Sequence, residues 1–251
     1  MQRIVGIMGA MPEEINGVLE LLTNKQEFTI GRRTYTQGQI NNINVVVVFS
    51  RWGKVAASTT VSTLILKFGI TELLFTGVAG AISEQLKIGD IVLATRLIQH
   101  DMDARPLMAQ FEIPLLGTAF IDASKQQLHV AQQAINELIE KKHLHAVFSV
   151  ATLLEFNIHK PTLFLGDIAS GDTFFSSNAQ KNQLTALLPS VLCVEMEGAA
   201  VAQVCVEYNI PFTIIRTISD AANDTSHIDF QLFISKISSK YSVEIIKNIL
   251  H

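Results

Sequence analysis

Among the acids of this sequence, those best placed to do chemistry fall in three short strings: Gly9-Ala-Met-Pro-Glu-Glu, Val194-Glu-Met-Glu-Gly and Arg216-Thr-Ile-Ser-Asp. Two more strings, Ser50-Arg-Trp-Gly-Lys and Thr76-Gly-Val-Ala-Gly, are glycine-bearing, and Ser170-Gly-Asp-Thr-Phe-Phe brings a pair of phenyl rings. Taken singly, each has an ordinary explanation. Glu14, Glu195 and Glu197 would complement the positive ends of helices, and Asp220 would serve as an N-cap. The glycine-rich strings read as strand-to-helix turns, and Gly9-Ala-Met-Pro-Glu-Glu lacks the full dinucleotide-binding spacing. The conjunction says more. Acids delivered to one sheet edge beside Met11, Met196, Phe174 and Phe175 describe a pocket for a flat, partly apolar ligand that needs acid-base chemistry.

The elements that would position these residues alternate along the chain. A strand from Arg3 to Met8 runs straight into a helix from about Pro12 to Leu22, with Pro12 at the first helical position, where its missing N–H has no partner to lose. Further strands are expected at Phe28 to Ile40, Val45 to Ser50, Leu73 to Thr76, Asp90 to Gln99, Leu163 to Ile168, Val191 to Val194 and Phe212 to Ile215. Helices are expected at Lys54 to Phe68, Lys125 to Lys141, Asn178 to Leu188, Met196 to Tyr208 and Phe230 to Ile249. Such alternation predicts an α/β fold with a central sheet covered by helices on both faces. Ligands of such sheets gather beyond the carboxyl ends of the strands, where the strings above fall. No linker or internal repeat divides the chain, so one domain over residues 1–251 is expected. Met102 to Gly117 has no period and carries Pro106 and Pro114, and an ordered loop of that length usually has a task.

Composition narrows the function classes. Hydrophobic residues make up 48% of the 251 residues and charged ones 17%, a globular balance. The net charge of -4, with no basic tract, offers no footprint for nucleic acid or an anionic membrane. Mean hydropathy is +0.31, yet no apolar run approaches the roughly 20 residues of a spanning helix. The best stretch, Val61 to Ile70, contains Lys67. Met1 to Met11 lack the pattern of a secretory signal, so a cytoplasmic protein is expected. Cys193 and Cys205 read as buried reduced thiols rather than as a disulfide or a zinc site.

In order, the strings GAMPEE, SRWGKVAA, TGVAGAI, KIGDIV, SGDTFF, VEMEGAA and RTISDAAND resemble the 5'-methylthioadenosine/S-adenosylhomocysteine nucleosidases of the purine nucleoside phosphorylase superfamily, from about Ile4 to Phe233. The resemblance implies a nucleoside phosphorylase-like single α/β domain with a central mixed sheet. It also implies a homodimer acting on a small adenine nucleoside in methionine salvage, with no metal and no organic cofactor. Carried over, Glu14 is the base for the attacking water, Asp220 the acid that protonates adenine N7, and Ser219 its positioning partner. Glu197 binds the ribose hydroxyls beside Met196. Phe174 stacks on adenine and the Phe175 backbone reads the purine edge. Met11 and Phe230 line the region of the 5' substituent and sugar. Arg216 helps hold the water and acid network, and Glu195 and Val78 belong to the same substrate pocket. Breaking an N-ribosidic bond builds positive charge on the sugar and negative charge on the base, which calls for an acid at the purine and carboxylates at the sugar, as in inverting glycosidases.

Some positions depart from the family pattern: Val78 stands where many relatives have serine, Trp52 where an aliphatic residue is usual, and Arg51 where glycine is usual. Trp52 reads equally as core or as a wall of the site. Two rivals remain, a phosphorylase of the same superfamily and a catalytically silent nucleoside-binding protein. Phosphorylases place an arginine where this chain has Phe75, which favours water, whereas Arg51 is the cation that could favour phosphate.

Overall fold

The computed structural model describes residues 2–141 and 146–251. Its centre is a mixed sheet of ten strands, β1 (Ile4–Gly9), β2 (Thr23–Ile30), β3 (Arg33–Ile40), β4 (Ile43–Phe49), β5 (Glu72–Ala81), β6 (Ile91–Gln99), β7 (Phe120–Asp122), β8 (Leu163–Ser170), β9 (Val191–Glu195) and β10 (Phe212–Asp220). The helices among the described residues are α1 (Pro12–Glu20), α2 (Lys54–Phe68), α3 (Lys125–Glu140), α4 (Val150–Glu155), α5 (Asn178–Leu187), α6 (Gly198–Glu207), α7 (Ser226–Phe233) and α8 (Ser239–Ile249). A π-helical turn, Ile234–Ser238, joins the last two.

Strand β1 lies between β4 and β5, parallel to both. Its near-continuous apolar run suits a strand covered on both faces. Beyond β5 the sheet curls on itself. Strand β10 pairs with both β5 and β6, and β9 with both β5 and β8. Because β6 also pairs with β8, the strands β5, β10, β6, β8 and β9 close a ring. That closure brings the ends of β1, β5, β9 and β10 together, although they are far apart in sequence.

Several elements differ from the sequence reading. Phe28 to Ile40 is not one strand but part of a hairpin. Gly31 and Arg32 form its two-residue turn with φ of 56° and 60°, the doubly positive φ of a type I' turn. Strands β5 and β10 run about five residues beyond the expected ends. Thr76-Gly-Val-Ala-Gly is therefore strand and not a strand-to-helix turn, and Asp220 ends a strand rather than capping a helix. The helix expected from Phe230 begins at Ser226 and is interrupted by the π turn. Strand β7 and helix α4 had not been expected. Residues 102–117 carry neither helix nor strand, apart from a bridge that pairs Ile113 with Thr118.

Helix α2 matches its expected bounds, and its end has a clear cause. Gly69 takes a left-handed conformation (φ 61°, ψ 39°), and its N–H reaches the Ile65 carbonyl at 3.1 Å. A Cβ added there would meet nothing within 4 Å, so only backbone strain opposes a side chain. Gly69→Ala should lower stability by about 1–2 kcal/mol, read by urea unfolding, with activity unchanged.

Candidate active site

The ends of β1, β5, β9 and β10, with α7 and the loops at 52 and 173–175, enclose a cavity of about 320 Å³. Met11, Glu14, Val78, Phe174, Phe175, Glu195, Met196, Glu197, Arg216, Ser219, Asp220 and Phe230, all singled out from sequence, line it together. Trp52, Thr173, His227 and Gln231 join them. Thr173 sits within a string already noticed. His227 and Gln231 flank Phe230 at the i, i+3, i+4 spacing of one helix face, a signal lost when the helix is started at Phe230.

Deepest is Arg216. Its Nη2 and Nε donate to Glu195 Oε2 at 2.6 and 3.1 Å, and Nη1 donates to the carbonyls of Phe75 and Ile215. Its guanidinium lies 4.1 Å from the centroid of the Phe75 ring. The side chains of Arg216 and Glu195 are 1% and 3% exposed. Glu195 also accepts from the Ser170 hydroxyl and from the N–H groups of Glu197 and Gly198. Its carboxylate is thus engaged by Arg216 and by the start of α6 at the floor of the cavity that it helps to line. Relieved of capping, Glu197 makes no side-chain cap bond. Its Oε1 instead accepts from the Gly53 N–H at 2.8 Å.

Glu14 sits at the third position of α1 and accepts from the N–H groups of Ala10 and Met11 at 2.6 and 2.9 Å. It is both the helix-start acid of the ordinary reading and a cavity wall. Asp220 accepts from the Ala222 N–H at 2.9 Å and the Ser219 hydroxyl at 2.8 Å. The glycines of β5 make room for these acids: a Cβ on Gly77 would stand 3.0 Å from Glu14 Oε1, and one on Gly80 would stand 2.9 Å from Asp220 Oδ1.

Burial decides how these acids titrate. It pushes Glu14 up to about 7, against the pull of Arg216 and three backbone N–H groups. Burial and the neighbouring Glu195 charge push Glu197 up to about 8, with the Gly53 N–H pulling the other way. Burial also raises Asp220, against the Ala222 N–H and the Ser219 hydroxyl. Three carboxyls whose hold on a proton is strengthened by burial face one cavity, a pattern suited to acid-base work.

The two open residues separate. Arg51 does not line the cavity; its Nη2 donates to the Arg32 carbonyl at 2.6 Å, so it is no cation of the site. Trp52 lines the cavity and is 59% exposed, which makes it a wall and not core. The rim is aromatic as well, with the Phe174 and Phe230 rings edge to face at 5.6 Å.

Two stability measurements distinguish the acids. Glu195→Ala leaves the Arg216 charge buried without its partner and should cost about 3–5 kcal/mol in chemical denaturation. Glu14 behaves oppositely. Its proton is held to about pH 7 in the folded chain but released near 4.5 when unfolded. The associated stability is full below 4.5 and declines as pH rises through 7. Glu14→Gln should therefore unfold at higher denaturant than wild type at pH 8, with the gap closing toward pH 5.

Comparison with known proteins identifies the family. A family model described as the phosphorylase superfamily matches residues 4–251. An aminodeoxyfutalosine nucleosidase of Helicobacter pylori is 34% identical over 98% of this chain and 97% of its own length. A 5'-methylthioadenosine/S-adenosylhomocysteine nucleosidase of Staphylococcus aureus is 31% identical over 96% of this chain and 97% of its own. Among solved structures, the nucleosidase of that name from Colwellia psychrerythraea 34H, in complex with adenine, superposes with a TM-score of 0.86 at 29% identity, covering 100% of this chain and 95% of that one. The chain belongs to the phosphorylase superfamily and, within it, to the family of 5'-methylthioadenosine/S-adenosylhomocysteine nucleosidases.

Proposed function

We propose that this protein is an N-ribosyl hydrolase that cleaves 5'-methylthioadenosine and S-adenosylhomocysteine, releasing adenine and the 5'-thioribose product. The observation that carries the reading is the convergence of Glu14, Glu197 and Asp220, all buried and all raised, on one aromatic-rimmed cavity. Asp220 delivers a proton to adenine N7 as negative charge builds on the leaving base, and the Ser219 hydroxyl fixes its carboxyl. Glu14 orients the attacking water and takes its proton. Glu197 receives the ribose hydroxyls, whose donation favours its ionised form beside a sugar that turns cationic. Phe174 stacks on the purine and the Phe175 backbone reads its edge. Met196 flanks the sugar, and Met11 and Phe230 face the 5' side.

Water is favoured over phosphate by the charges at the site. Arg216 is the one guanidinium among the described lining residues, and it already makes four hydrogen bonds to Glu195, Phe75 and Ile215. A phosphate dianion would have to be desolvated beside Glu14 without a free fork to receive it. A silent binding protein would have no use for three raised carboxyls at considerable cost to stability. The H. pylori relative's name supports a second substrate, aminodeoxyfutalosine, which shares the adenine and ribose end. Methionine salvage in the cytoplasm fits the first substrates, and the unpaired, buried Cys193 and Cys205 are consistent with that compartment.

We also infer a homodimer. The segment 102–117 displays Leu107 and Leu115 at 88% and 95% exposure, apolar surface suited to a partner. Phe111, in the same segment, is buried in the core beneath that surface, so substitution there would test folding and not assembly. Leu107→Asp should lower the dimer fraction in sedimentation; a wild-type chain that sediments as an active monomer would contradict the assembly.

Adenine release should proceed at full rate in phosphate-free buffer and yield free methylthioribose. Asp220→Asn keeps size and most hydrogen bonds yet has no carboxylic proton to give, so turnover should fall about 10²-fold or more. Retained turnover, or an absolute phosphate requirement, would overturn the assignment. Comparing kcat/KM for methylthioadenosine, S-adenosylhomocysteine, 5'-deoxyadenosine and 6-amino-6-deoxyfutalosine ranks the substrates.

A further inference from the structure

The turn that carries Trp52 is tied to the phenylalanine loop by a closed polar ring outside the cavity. Asp101 is its hub: Oδ1 accepts from Lys54 Nζ at 2.6 Å, and Oδ2 accepts from the Asp172 N–H at 2.9 Å. Asp172 returns the link, its Oδ1 accepting from the Lys54 N–H at 2.8 Å. Lys54 Nζ also reaches Gln99 Oε1 at 3.1 Å. The ring joins the start of α2 to the end of β6 and to the residue that opens the path to Phe174 and Phe175.

The geometry leaves the turn little freedom inside the ring. Gly53 has φ of 88°, and a Cβ placed on it would stand 2.9 Å from Asp172 Oδ1. Only glycine allows both this backbone and the close approach. Arg51 also has positive φ, at 71°. A strained turn persists only where its surroundings over-determine it, and here Asp172 on one side and Glu197 on the other supply that constraint. The Gly53 N–H is a hydrogen-bond donor to the Glu197 carboxylate, and Trp52, one residue earlier, forms a wall of the cavity.

We propose that Lys54, Asp101 and Asp172 are positioning residues that clip the Trp52–Gly53 turn to the Phe174–Phe175 loop, and thereby set the Glu197 carboxylate and the Trp52 wall for the nucleoside. None of the three needs to touch the substrate. The inference rests on the proposed role of Glu197 as the ribose ligand. Weakening the clip costs binding in the ground state and transition state alike, so it acts on KM more than on kcat.

Trp52 is the only tryptophan in the chain, so its emission reports the turn directly, whatever the reaction. The test compares wild type, Lys54→Met and Lys54→Arg in steady-state kinetics on methylthioadenosine, and in tryptophan emission and anisotropy with and without adenine. Lys54→Met should raise KM about tenfold with kcat within about threefold, while Lys54→Arg stays near wild type. Free Lys54→Met should show red-shifted Trp52 emission and lower anisotropy, and saturating adenine should reverse both. Wild-type KM and wild-type emission in Lys54→Met would overturn the proposal. So would a variant in which kcat and melting temperature fall together with KM and emission unchanged. If wild type itself releases no adenine from methylthioadenosine, the functional reading fails, while the emission comparison still decides whether the clip holds the turn.

Discussion

Beneath the cavity, one guanidinium is buried with one carboxylate, and the arrangement of the other acids follows from that pair. Neither Arg216 nor Glu195 has appreciable access to water, so each must find its partners within the fold. A buried ion pair is weak evidence for net stability but strongly penalises any arrangement that separates it. Strands β9 and β10, which do not pair with each other, are thereby held in a fixed relation across the ring of strands. The pair also sets the polarity of its surroundings. Glu195 takes the N–H groups at the start of α6, which leaves Glu197 free to face the Gly53 turn, and Arg216 moderates the charge on Glu14.

The acids above the pair have the same chemistry and different environments. Glu14 holds its place through two N–H groups at the start of α1, Glu197 through a single N–H from a turn, and Asp220 through a hydroxyl and an N–H. Separating carboxyls in this way allows one to carry a proton while another carries charge at the same pH. The space they need comes from Gly77 and Gly80, where a methyl group would crowd an acid oxygen. Glycines that read as turn residues in sequence are in fact gaps in a strand wall.

This explains which parts of the molecule were legible in the sequence. Helix α2 and strands β1 and β4 carry long apolar runs, and their positions follow from pattern alone. The ends of β5 and β10 escaped because strands buried on both faces lose alternation, and because Arg216, Ser219 and Asp220 look like loop residues until their partners are known. The twelve residues singled out line one cavity, yet their grouping came from motif resemblance and not from periodicity. Glu195 shows the limit of that route. Its motif placed it in the pocket, but only geometry reveals that Arg216 and α6 already occupy its carboxylate. Phe111 shows another: in an aperiodic segment, nothing in the sequence distinguishes a ring that turns inward from a leucine four residues away that stays outside.

The division between rigid and adjustable walls bears on how relatives named for different nucleosides share this fold. Glu14, Arg216, Ser219 and Asp220 stand on strand ends or the first turn of a helix, each fixed by buried hydrogen bonds. Sites on such elements hold geometry better than sites on loops. Trp52, Phe174, Phe230, His227 and Gln231 instead belong to a turn, a loop and one short helix, and the first two are substantially exposed. A substitution on the strand ends disturbs a buried charge, whereas one on the rim changes shape at little cost to folding. Under the proposed reading, the acid for adenine and the base for water fall on the first set, whereas the ring that stacks on adenine and the residues facing the 5' substituent fall on the second. Substrate preference can then shift through a handful of rim residues while the acids, and the pair that holds them, stay in place.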